Sequence, residues 1–459
     1  TWDEAISLIA SELKEYGSQV GLVASPRLTN ESVFILKRFA KEVVGSDNFA
    51  ISDRYDLSPF FDNLSVQLNT HKQIRTAKTI LLIGGEPEEE QTYVAKQIRQ
   101  AVRNGGATLI VVNDTPIRLT GQAKQFIHIN PGSYDAFALA FADSADEGLL
   151  KRLGVEHSEF ERFANTINNA EGDLVILVDG GVSTDAQAVL ANSAANFASN
   201  SRRVFLHPLP AYNNSVGAND MSPGKKSLGD VLKASKALLI GGSLQDPSVL
   251  EGKEFVVVQE LFETETTAYA DVILPAASFA EVDGTFTNNT GFVQRVRKAI
   301  DPLHQSKADW IITTLIAREM GVDFGYDFSA SGVFRSIADS IPAYAGIRYP
   351  SLKDESNPAQ VKHAISGKND LTAHINALRT RIEGLSDSIT KITTAPKIGH
   401  KLHRLTTMTS KTPQFHLLAH GNPKPENLLL APLSQFDLDG TLKVSEMAEA
   451  ATVGAGDRE

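Results

Sequence analysis

Cysteine is absent from this chain of 459 residues. Without thiolates the chain can neither ligate an iron-sulfur cluster through sulfur nor form a disulfide, and it has no cysteine nucleophile. No apolar run approaches the about 18 consecutive residues that a membrane-spanning helix needs, and residues 1–17 have the pattern of an amphipathic helix rather than of a signal sequence. We therefore expect any membrane association to go through partner proteins.

An excess of positive charge is also lacking. The chain has 44 Lys and Arg against 55 Asp and Glu, for a net charge of −11. Nucleic-acid binding is not expected, because counterion release along a phosphate backbone requires a basic surface. With 42% hydrophobic residues the chain can bury a sizeable core in several domains. It begins at Thr1 without an initiator Met, so we expect it to be the later part of a longer or processed polypeptide.

Helical and strand patterns alternate along the first two thirds of the chain. Continuous apolar runs that end at turn residues are typical of strands in a parallel sheet that is covered on both faces. Amphipathic helical patterns lie between them, for example at 3–16, 31–44, 92–103 and 184–198. The sequence therefore predicts an α/β fold with two doubly wound, mostly parallel lobes. The predicted strands are 20–24, 79–83, 107–113, 174–178, 204–206, 237–240 and 255–258.

Residues 268–294 combine a short apolar run with a turn-rich segment. The run at 272–274 ends at Pro275, and Glu281 precedes a segment rich in Gly, Asn and Thr. Ligands of α/β proteins lie beyond the carboxyl ends of parallel strands, so this stretch has the pattern of a ligand-binding strand end. After residue 346 the composition becomes more polar; residues 371–385 have a helical pattern, and residues 389–412 have no firm period. We expect residues 346–459 to form an irregular, extended C-terminal arm that partners order.

Several segments in order resemble the molybdopterin oxidoreductase superfamily over residues 1–325. They include SPRLTNES at 25–32, IGGEP at 83–87, NNSVGANDM at 213–221 and ADVILPAASFAEVDGTFTN at 270–288. Within that superfamily the chain is most similar to the C-terminal, molybdopterin-oxidoreductase-like region of the large iron-sulfur subunit of bacterial NADH-quinone oxidoreductase, respiratory complex I. The resemblance implies one lobe built from residues 1–55 and 206–330 and a second lobe built from 56–205.

The position of the family's molybdenum or tungsten ligand is altered. The resemblance places Asp56 at that position and Leu57 where a histidine is expected. A carboxylate suits a hard, high-valent metal, so Asp56 is chemically possible as a ligand. An Asp just before Ser58 and Pro59 is, however, more simply a turn or cap residue, and loss of the histidine removes a proton carrier. We favour the turn.

Contacts expected for a pterin dinucleotide have also changed. The segment from Gly84 to Pro87 replaces a Gly-x-Asn-Pro turn, and the three glutamates at 88–90 that follow would repel a pyrophosphate. Asp135 is displaced by a turn that is one residue longer, and Phe292 stands where the family usually has an arginine, the side chain best suited to phosphate.

These departures predict a vestigial cofactor pocket. Glu281, Asp283 and Asn288 are expected to satisfy backbone groups instead of a cofactor. The candidate pocket residues are Asp56, Gly85, Glu86, Asp135, Asn219, Glu281 and Asn288.

Other motifs have structural interpretations that we prefer. The glycine pairs at 84–85, 180–181 and 241–242 form neither a GxGxxG nor a Walker sequence, and tight turns after strands need glycine anyway. His400 and His403 lack a third metal ligand, so a zinc site is not expected. Glu263 and Glu265 are plausible helix caps. We expect no catalytic residue and no metal in this chain.

Taken together, the sequence predicts a structural, non-redox part of the peripheral arm of NADH-quinone oxidoreductase. It would bind no cofactor and would support partner subunits that hold iron-sulfur clusters, FMN and the NADH site, at the cytoplasmic face of the bacterial inner membrane. The alternative is a catalytic subunit of a formate-dehydrogenase-like enzyme that holds molybdopterin with Asp56 as the metal ligand. A free-standing nucleotide-binding protein is a third possibility.

Overall fold

The computed structural model describes residues 1–143, 145–353, 358–366 and 369–384, together with two short strands near the C-terminus. The helices are α1 Trp2–Tyr16, α2 Asn30–Arg38, α3 Ser58–Asp62, α4 His71–Thr76, α5 Pro87–Glu90, α6 Thr92–Gly105, α7 Tyr134–Ala142, α8 Glu147–Leu153, α9 His157–Asn168, α10 Thr184–Ser193, α11 Ser215–Met221, α12 Leu228–Ala234, α13 Asp309–Glu319, α14 Ala330–Ser340 and α15 Thr372–Glu383. The strands are β1 Val20–Ala24, β2 Phe49–Ile51, β3 Thr79–Ile83, β4 Thr108–Asn113, β5 Gln125–His128, β6 Leu174–Asp179, β7 Val204–Leu209, β8 Ala237–Gly241, β9 Phe255–Glu260, β10 Val272–Pro275, β11 Gly284–Thr287, β12 Val293–Val296, β13 His416–Leu417 and β14 Leu430–Ala431.

The first lobe is built on a five-stranded parallel sheet in the order β10-β9-β8-β1-β2. Every residue of β1 and β8 is buried, as the continuous apolar runs of these strands require. Helices α1, α2, α13 and α14 cover one face of the sheet, and α12 lies on the other. The strand order reverses between β1 and β8, which makes that gap the switch point of the sheet.

The second lobe has a five-stranded parallel sheet of its own, in the order β5-β4-β3-β6-β7. Helices α3, α7 and α10 share the core of one face, and α4 and α6 pack on the other. Its switch point lies between β3 and β6, where Ile83 and Val178 are in register. The two sheets confirm the predicted pair of doubly wound lobes.

The predicted boundary between the lobes is wrong by a few residues. Strand β7 runs from Val204 to Leu209 and pairs along its whole length with β6. A boundary at residue 206 therefore cuts this strand. The sequence predicted only the first three residues of the strand, because these alone form a clear apolar run. The second lobe therefore continues to Leu209, and the chain returns to the first lobe through α11.

An antiparallel hairpin, β11 with β12, follows β10 at the edge of the first lobe. Buried Glu31 holds this hairpin because its carboxylate accepts from the backbone N–H of Thr285 at 2.8 Å. Gly284 allows the close approach, since a Cβ there would lie 2.6 Å from Cγ2 of Thr29. Strand β10 is the sheet edge, and Ile273 is 49% exposed. The stretch 268–294 is therefore an edge strand and a packed hairpin.

Part of the predicted C-terminal arm packs on the lobes instead of extending from them. Tyr349 and Val361 are buried in the core of the first lobe. Helix α15 packs against α7 and α10, with Leu378 fully buried. A few apolar residues in this polar segment, such as Val361 and Leu378, anchor it to the lobes. The prediction for His400 and His403 lies outside the described residues.

Two helices end differently from their patterns. The pattern 31–44 predicts one helix, but α2 ends at Arg38 and continues as a π-helical turn over Phe39–Val43. The pattern 184–198 corresponds to α10 and a short 3-10 segment, Ala194–Phe197. Among the residues that the structure describes, no helix is long and apolar enough to cross a membrane.

Candidate functional site: the carboxyl ends of the two sheets

At the switch point of the second lobe, the crevice is filled by a side chain. Strand β3 is followed by Gly84 and Gly85, with φ of 71° and 68°, and β6 ends at Asp179. A Cβ on Gly84 would lie 3.0 Å from Cβ of Asp179, and one on Gly85 would lie 3.2 Å from its Cγ. The two glycines are needed because Asp179 lies directly over them.

The carboxyl group of Asp179 lies in an acidic and poorly solvated environment. Burial, together with the nearby carboxylates of Glu90 and Asp114, raises the pKa of Asp179 to about 7, against the opposing effects of a backbone hydrogen bond from Gly181 and the charge of Arg54. Its Oδ1 atom is shielded from solvent and has no hydrogen-bond partner in the described part of the chain. Near neutral pH this group is therefore partly protonated.

The three glutamates at 88–90 all have arginine partners. Glu88 is buried and pairs with Arg99, and Glu89 lies 3.5 Å from Arg118. Glu90 lies 3.4 Å from Arg54. Of the glutamate cluster, Glu90 still contributes negative charge at this crevice, together with Asp179 and Asp114, and we had singled out neither aspartate. An aspartate directly after a buried strand and before two glycines was the signal that could have found Asp179.

The switch point of the first lobe is open. Gly242 follows β8 with φ of 88°, and a Cβ on it would lie 2.5 Å from Cβ of Ser25. Beside this contact is a cavity of about 270 Å³, whose lining includes Arg27, Gln259 and Asp309. Gln259 is fully buried and donates to Thr313 at 3.1 Å, and its Oε1 has no partner among the described residues. Burial raises the pKa of Asp309 to about 7.

Asp56 and Asn219 both line another cavity, of about 240 Å³, which lies between the lobes. Asp56 accepts from the backbone N–H of Ser58 at 3.0 Å and from its hydroxyl at 2.8 Å. The ammonium of Lys225 lies 3.3 Å from Asp56 and donates to Asn219 at 2.7 Å. Burial disfavours the charged carboxylate, but Lys225 and Ser58 together hold the pKa of Asp56 below its ordinary value. Asp56 thus has the contacts of a turn residue.

The other sequence candidates lie apart from one another. Glu86 stands beside Gly85, at the start of α5. Asp135 accepts from Arg381 at 2.7 Å and from Ser183. Glu281 accepts from the backbone N–H groups of Ser278 and Leu303, each at 2.7 Å.

Asn288 closes the turn of the β11–β12 hairpin. Its Oδ1 accepts from the backbone N–H groups of Thr290 at 3.0 Å and Phe292 at 3.1 Å. Asp283 pairs with Arg295 at 3.1 Å instead of binding backbone. The structure therefore brings Asp56 together with Asn219. Gly85 and Glu86 are neighbours in the sequence, and the other candidates lie apart from one another. No group of three or more His, Asp or Glu residues suited to a metal ion occurs in the described ranges.

Comparison with known proteins places this architecture in a family. The sequence profile described as molybdopterin oxidoreductase matches residues 1–319. The chain belongs to the molybdopterin oxidoreductase family. It is 29% identical over 438 residues to the F420-dependent formate dehydrogenase subunit alpha of Methanocaldococcus jannaschii, covering 77% of this chain and 65% of that protein. It is 26% identical over 436 residues to the F420-dependent formate dehydrogenase 1 subunit alpha of Methanococcus maripaludis, covering 77% and 64%. The chain thus spans a little under two thirds of these relatives.

Solved structures agree on the fold. Acetylene hydratase from Pelobacter acetylenicus superposes with a TM-score of 0.58 at 14% identity, over 79% of this chain and 64% of that one. A chain of the formyltransferase/hydrolase complex from Methylorubrum extorquens superposes with a TM-score of 0.51 at 17% identity, over 70% and 96%. At these identities the likeness shows the fold alone.

The residues at the second-lobe switch point do not fit the anionic pterin dinucleotide that this family implies. Asp179 occupies the space over Gly84 and Gly85 where a backbone cradle would receive the ligand. Asp114 and Glu90 add negative charge at the same strand ends, and like charges a few ångströms apart repel by about 1 kcal/mol or more even in water. The lining of the first-lobe crevice includes one cation, Arg27, and the carboxyl groups of Glu260 and Asp309.

Proposed function

We propose that this chain is a non-catalytic, structural member of the molybdopterin oxidoreductase family that supports the peripheral arm of NADH-quinone oxidoreductase. It would bind no cofactor of its own. Iron-sulfur clusters and FMN in partner subunits would carry the electrons, and the chain would reach the cytoplasmic face of the bacterial inner membrane only through those partners. The observation that carries the proposal is the position of Asp179 over the glycines of the second-lobe switch point.

Three features support loss of the cofactor. Asp179 takes the volume and reverses the charge that a dinucleotide would need at the second sheet. Asp56 is engaged by Lys225 and Ser58, so a metal would have to displace an ammonium to reach it. Cysteine, the strongest alternative ligand, is absent. The assignment to complex I rests on the sequence resemblance alone, since the order of the motifs is shared with the formate-dehydrogenase-like alternative.

A second candidate is a catalytic subunit of a formate-dehydrogenase-like enzyme. It is favoured by the names of the curated relatives, formate dehydrogenase alpha subunits that match 77% of this chain. In that case Asp56 would be the metal ligand, and the first-lobe crevice would have to provide most of the cofactor's hydrogen bonds. This candidate requires Asp179 to move out of the second-lobe switch point when the cofactor binds.

Metal and pterin analysis distinguishes the two. The complex that contains this chain would be purified from native membranes, its molybdenum and tungsten measured by mass spectrometry, and its pterin measured by fluorescence after oxidation. We expect neither metal nor pterin in stoichiometric amount, together with iron-sulfur and NADH-oxidising subunits in the purified complex. Stoichiometric metal that is lost in an Asp56→Ala variant would establish the second candidate.

The protein composition of the purified complex tests the complex I assignment by itself. If the chain lacks metal but purifies without NADH-oxidising subunits, the non-catalytic role stands and the proposed assembly is wrong.

A further inference from the structure

A cavity of about 820 Å³ lies on the first lobe where three helices begin. Residues from the first turns of α1, α13 and α14 line it, together with the loop that follows the hairpin. It shares Val282 and Ala308 with the smaller first-lobe crevice, and its other lining residues are different. Its volume falls in the range of about 300 to 1,000 Å³ that is usual for small-molecule sites.

Four of the residues that line this cavity are aromatic. Trp2 and Trp310 lie on two of the helices, and Phe328 and Tyr349 lie beside them. Phe328 is 39% exposed, whereas Trp310 and Tyr349 are largely buried. The chain has only two tryptophans, and both are here. Flat rings stack well against such walls, because aromatic pairs in offset or edge-to-face contact gain about 0.5 to 1.5 kcal/mol beyond their buried area. The shape therefore favours a planar, ring-containing ligand.

One cation in the cavity is available to a ligand. The ammonium of Lys307 lies 4.8 Å from the centre of the Trp2 ring and makes no ion pair among the described residues. Arg295 is already engaged, since it pairs with Asp283 at 3.1 Å and lies over the Tyr349 ring at 4.4 Å. Lys298 pairs with Asp301 at 2.8 Å.

None of the acidic groups of the lining forms an ion pair with Lys307 among the described residues. Both oxygens of Glu281 accept from backbone N–H groups, and Asp283 is held by Arg295. Asp3 is exposed. The partial positive charge at the starts of α13 and α14 adds to the field in the cavity.

We propose that this cavity binds a planar aromatic molecule that carries one anionic group, with the ring beside Trp2 and Phe328 and the anion at Lys307. This site is separate from the second-lobe switch point, and it goes beyond the structural function proposed above. A chain that has lost its cofactor could still bind such a ligand here, because none of the cavity's polar contacts depends on Asp179 or Asp56.

The test is a titration of the full chain with 1-naphthalenesulfonate and with its neutral counterpart, 1-naphthalenesulfonamide. Affinity would be measured by calorimetry, and the site would be located by tryptophan emission, since both tryptophans line this cavity. We expect saturable binding of the sulfonate with a change in emission, and at least about tenfold weaker binding of the sulfonamide, the size of one charge-assisted contact.

Variants of two lysines sharpen the result. Lys307→Met is expected to weaken the sulfonate about tenfold and to leave the sulfonamide unchanged, while Lys307→Arg retains most of the affinity. Lys298→Met is the matched control, because Lys298 lines the same cavity but is paired with Asp301; it should leave both ligands unchanged. Circular dichroism would verify that the variants fold.

Several outcomes would overturn the proposal. They are the absence of saturable binding, binding that leaves tryptophan emission unchanged, and equal affinity for the sulfonate and the sulfonamide. An unchanged affinity in Lys307→Met would also reject the role of that ammonium. If Lys307→Met does not fold, the comparison of the two ligands on the unmodified chain decides.

Discussion

The two lobes have similar sheets but differ at their switch points. In the first lobe the gap between β1 and β8 opens into a cavity of about 270 Å³. In the second lobe the corresponding gap between β3 and β6 is covered by Asp179. Parallel α/β topology supplies a crevice in both cases. The side chains at the strand ends decide whether the crevice stays open.

The lobes also differ in how they accommodate a buried carboxyl group. Glu31 of the first lobe is fully buried, and burial raises its pKa to about 7, yet it accepts from the Thr285 backbone N–H and hydroxyl and from the Tyr349 hydroxyl. Asp179 has a similar pKa but leaves one oxygen without a partner among the described residues. Glu31 should therefore stabilise its lobe, and Asp179 should destabilise its own.

The largest effect is expected from Glu31→Ala. This change leaves the N–H of Thr285 and the hydroxyl of Tyr349 without their acceptor and opens a cavity, so we expect a loss of about 3 kcal/mol in the free energy of unfolding. Urea denaturation followed by tryptophan emission measures it, because both tryptophans lie in the first lobe. The control is Glu15→Ala, at an exposed position of α1. A loss no larger than that of the control would remove Glu31 as the anchor of the hairpin.

Asp179→Asn should raise the free energy of unfolding, whereas Glu31→Ala should lower it. The folded pKa of Asp179 lies above its unfolded value, so the native state binds more protons and the stability of the unmodified protein falls as pH rises from about 4 to about 7. The neutral amide removes this penalty. We expect the variant to equal the unmodified protein near pH 4 and to be more stable by about 1 to 3 kcal/mol at pH 8.

The measurement for Asp179→Asn is hydrogen exchange of β6 amides at several pH values, which reports the second lobe directly. Glu171→Gln, an exposed change in the same lobe, is the control. If Asp179→Asn destabilised the second lobe at pH 8, the carboxyl group would have favourable partners there, and the contrast between the lobes would fail.

The smallest effect is expected from Asp56→Asn, in the cavity between the lobes. The side chain of Asp56 is 51% exposed, so its pairing with Lys225 is screened by solvent and contributes less than about 1 kcal/mol. Because the folded pKa of Asp56 is lowered, this contribution is present above the unfolded pKa and is lost as pH falls through the folded value.

Thermal unfolding of Asp56→Asn, Lys225→Gln and the double variant at neutral and acidic pH would measure the coupling between the two groups. We expect the loss in each single variant to shrink in the background of the other at neutral pH, and the effect of Asp56→Asn to vanish in acid. A loss of several kcal/mol would contradict the expectation that solvent screens this pair.

Much of the fold was predictable because its signals are local. The buried runs at 79–83 and 174–178 predicted β3 and β6, and the helical period at 3–16 predicted α1. The weaker elements were missed: β5 is a short strand with mixed burial, and β2 has three residues. The segments 358–366 and 369–384 were assigned to an arm because their few apolar positions, such as Val361 and Leu378, have meaning only when a lobe is present to receive them.

The sequence by itself determined the absence of thiolate chemistry and the two sheets. Tertiary structure decided which charges meet. Sheet order places the end of β6 beside the end of β3, so Asp179 lies over Gly84 and Gly85. The fold likewise brings Lys225 to Asp56 and leaves Lys307 over Trp2 without an ion pair in the described part of the chain. These contacts join residues far apart in the chain, and no local pattern of hydrophobicity or turn chemistry records them.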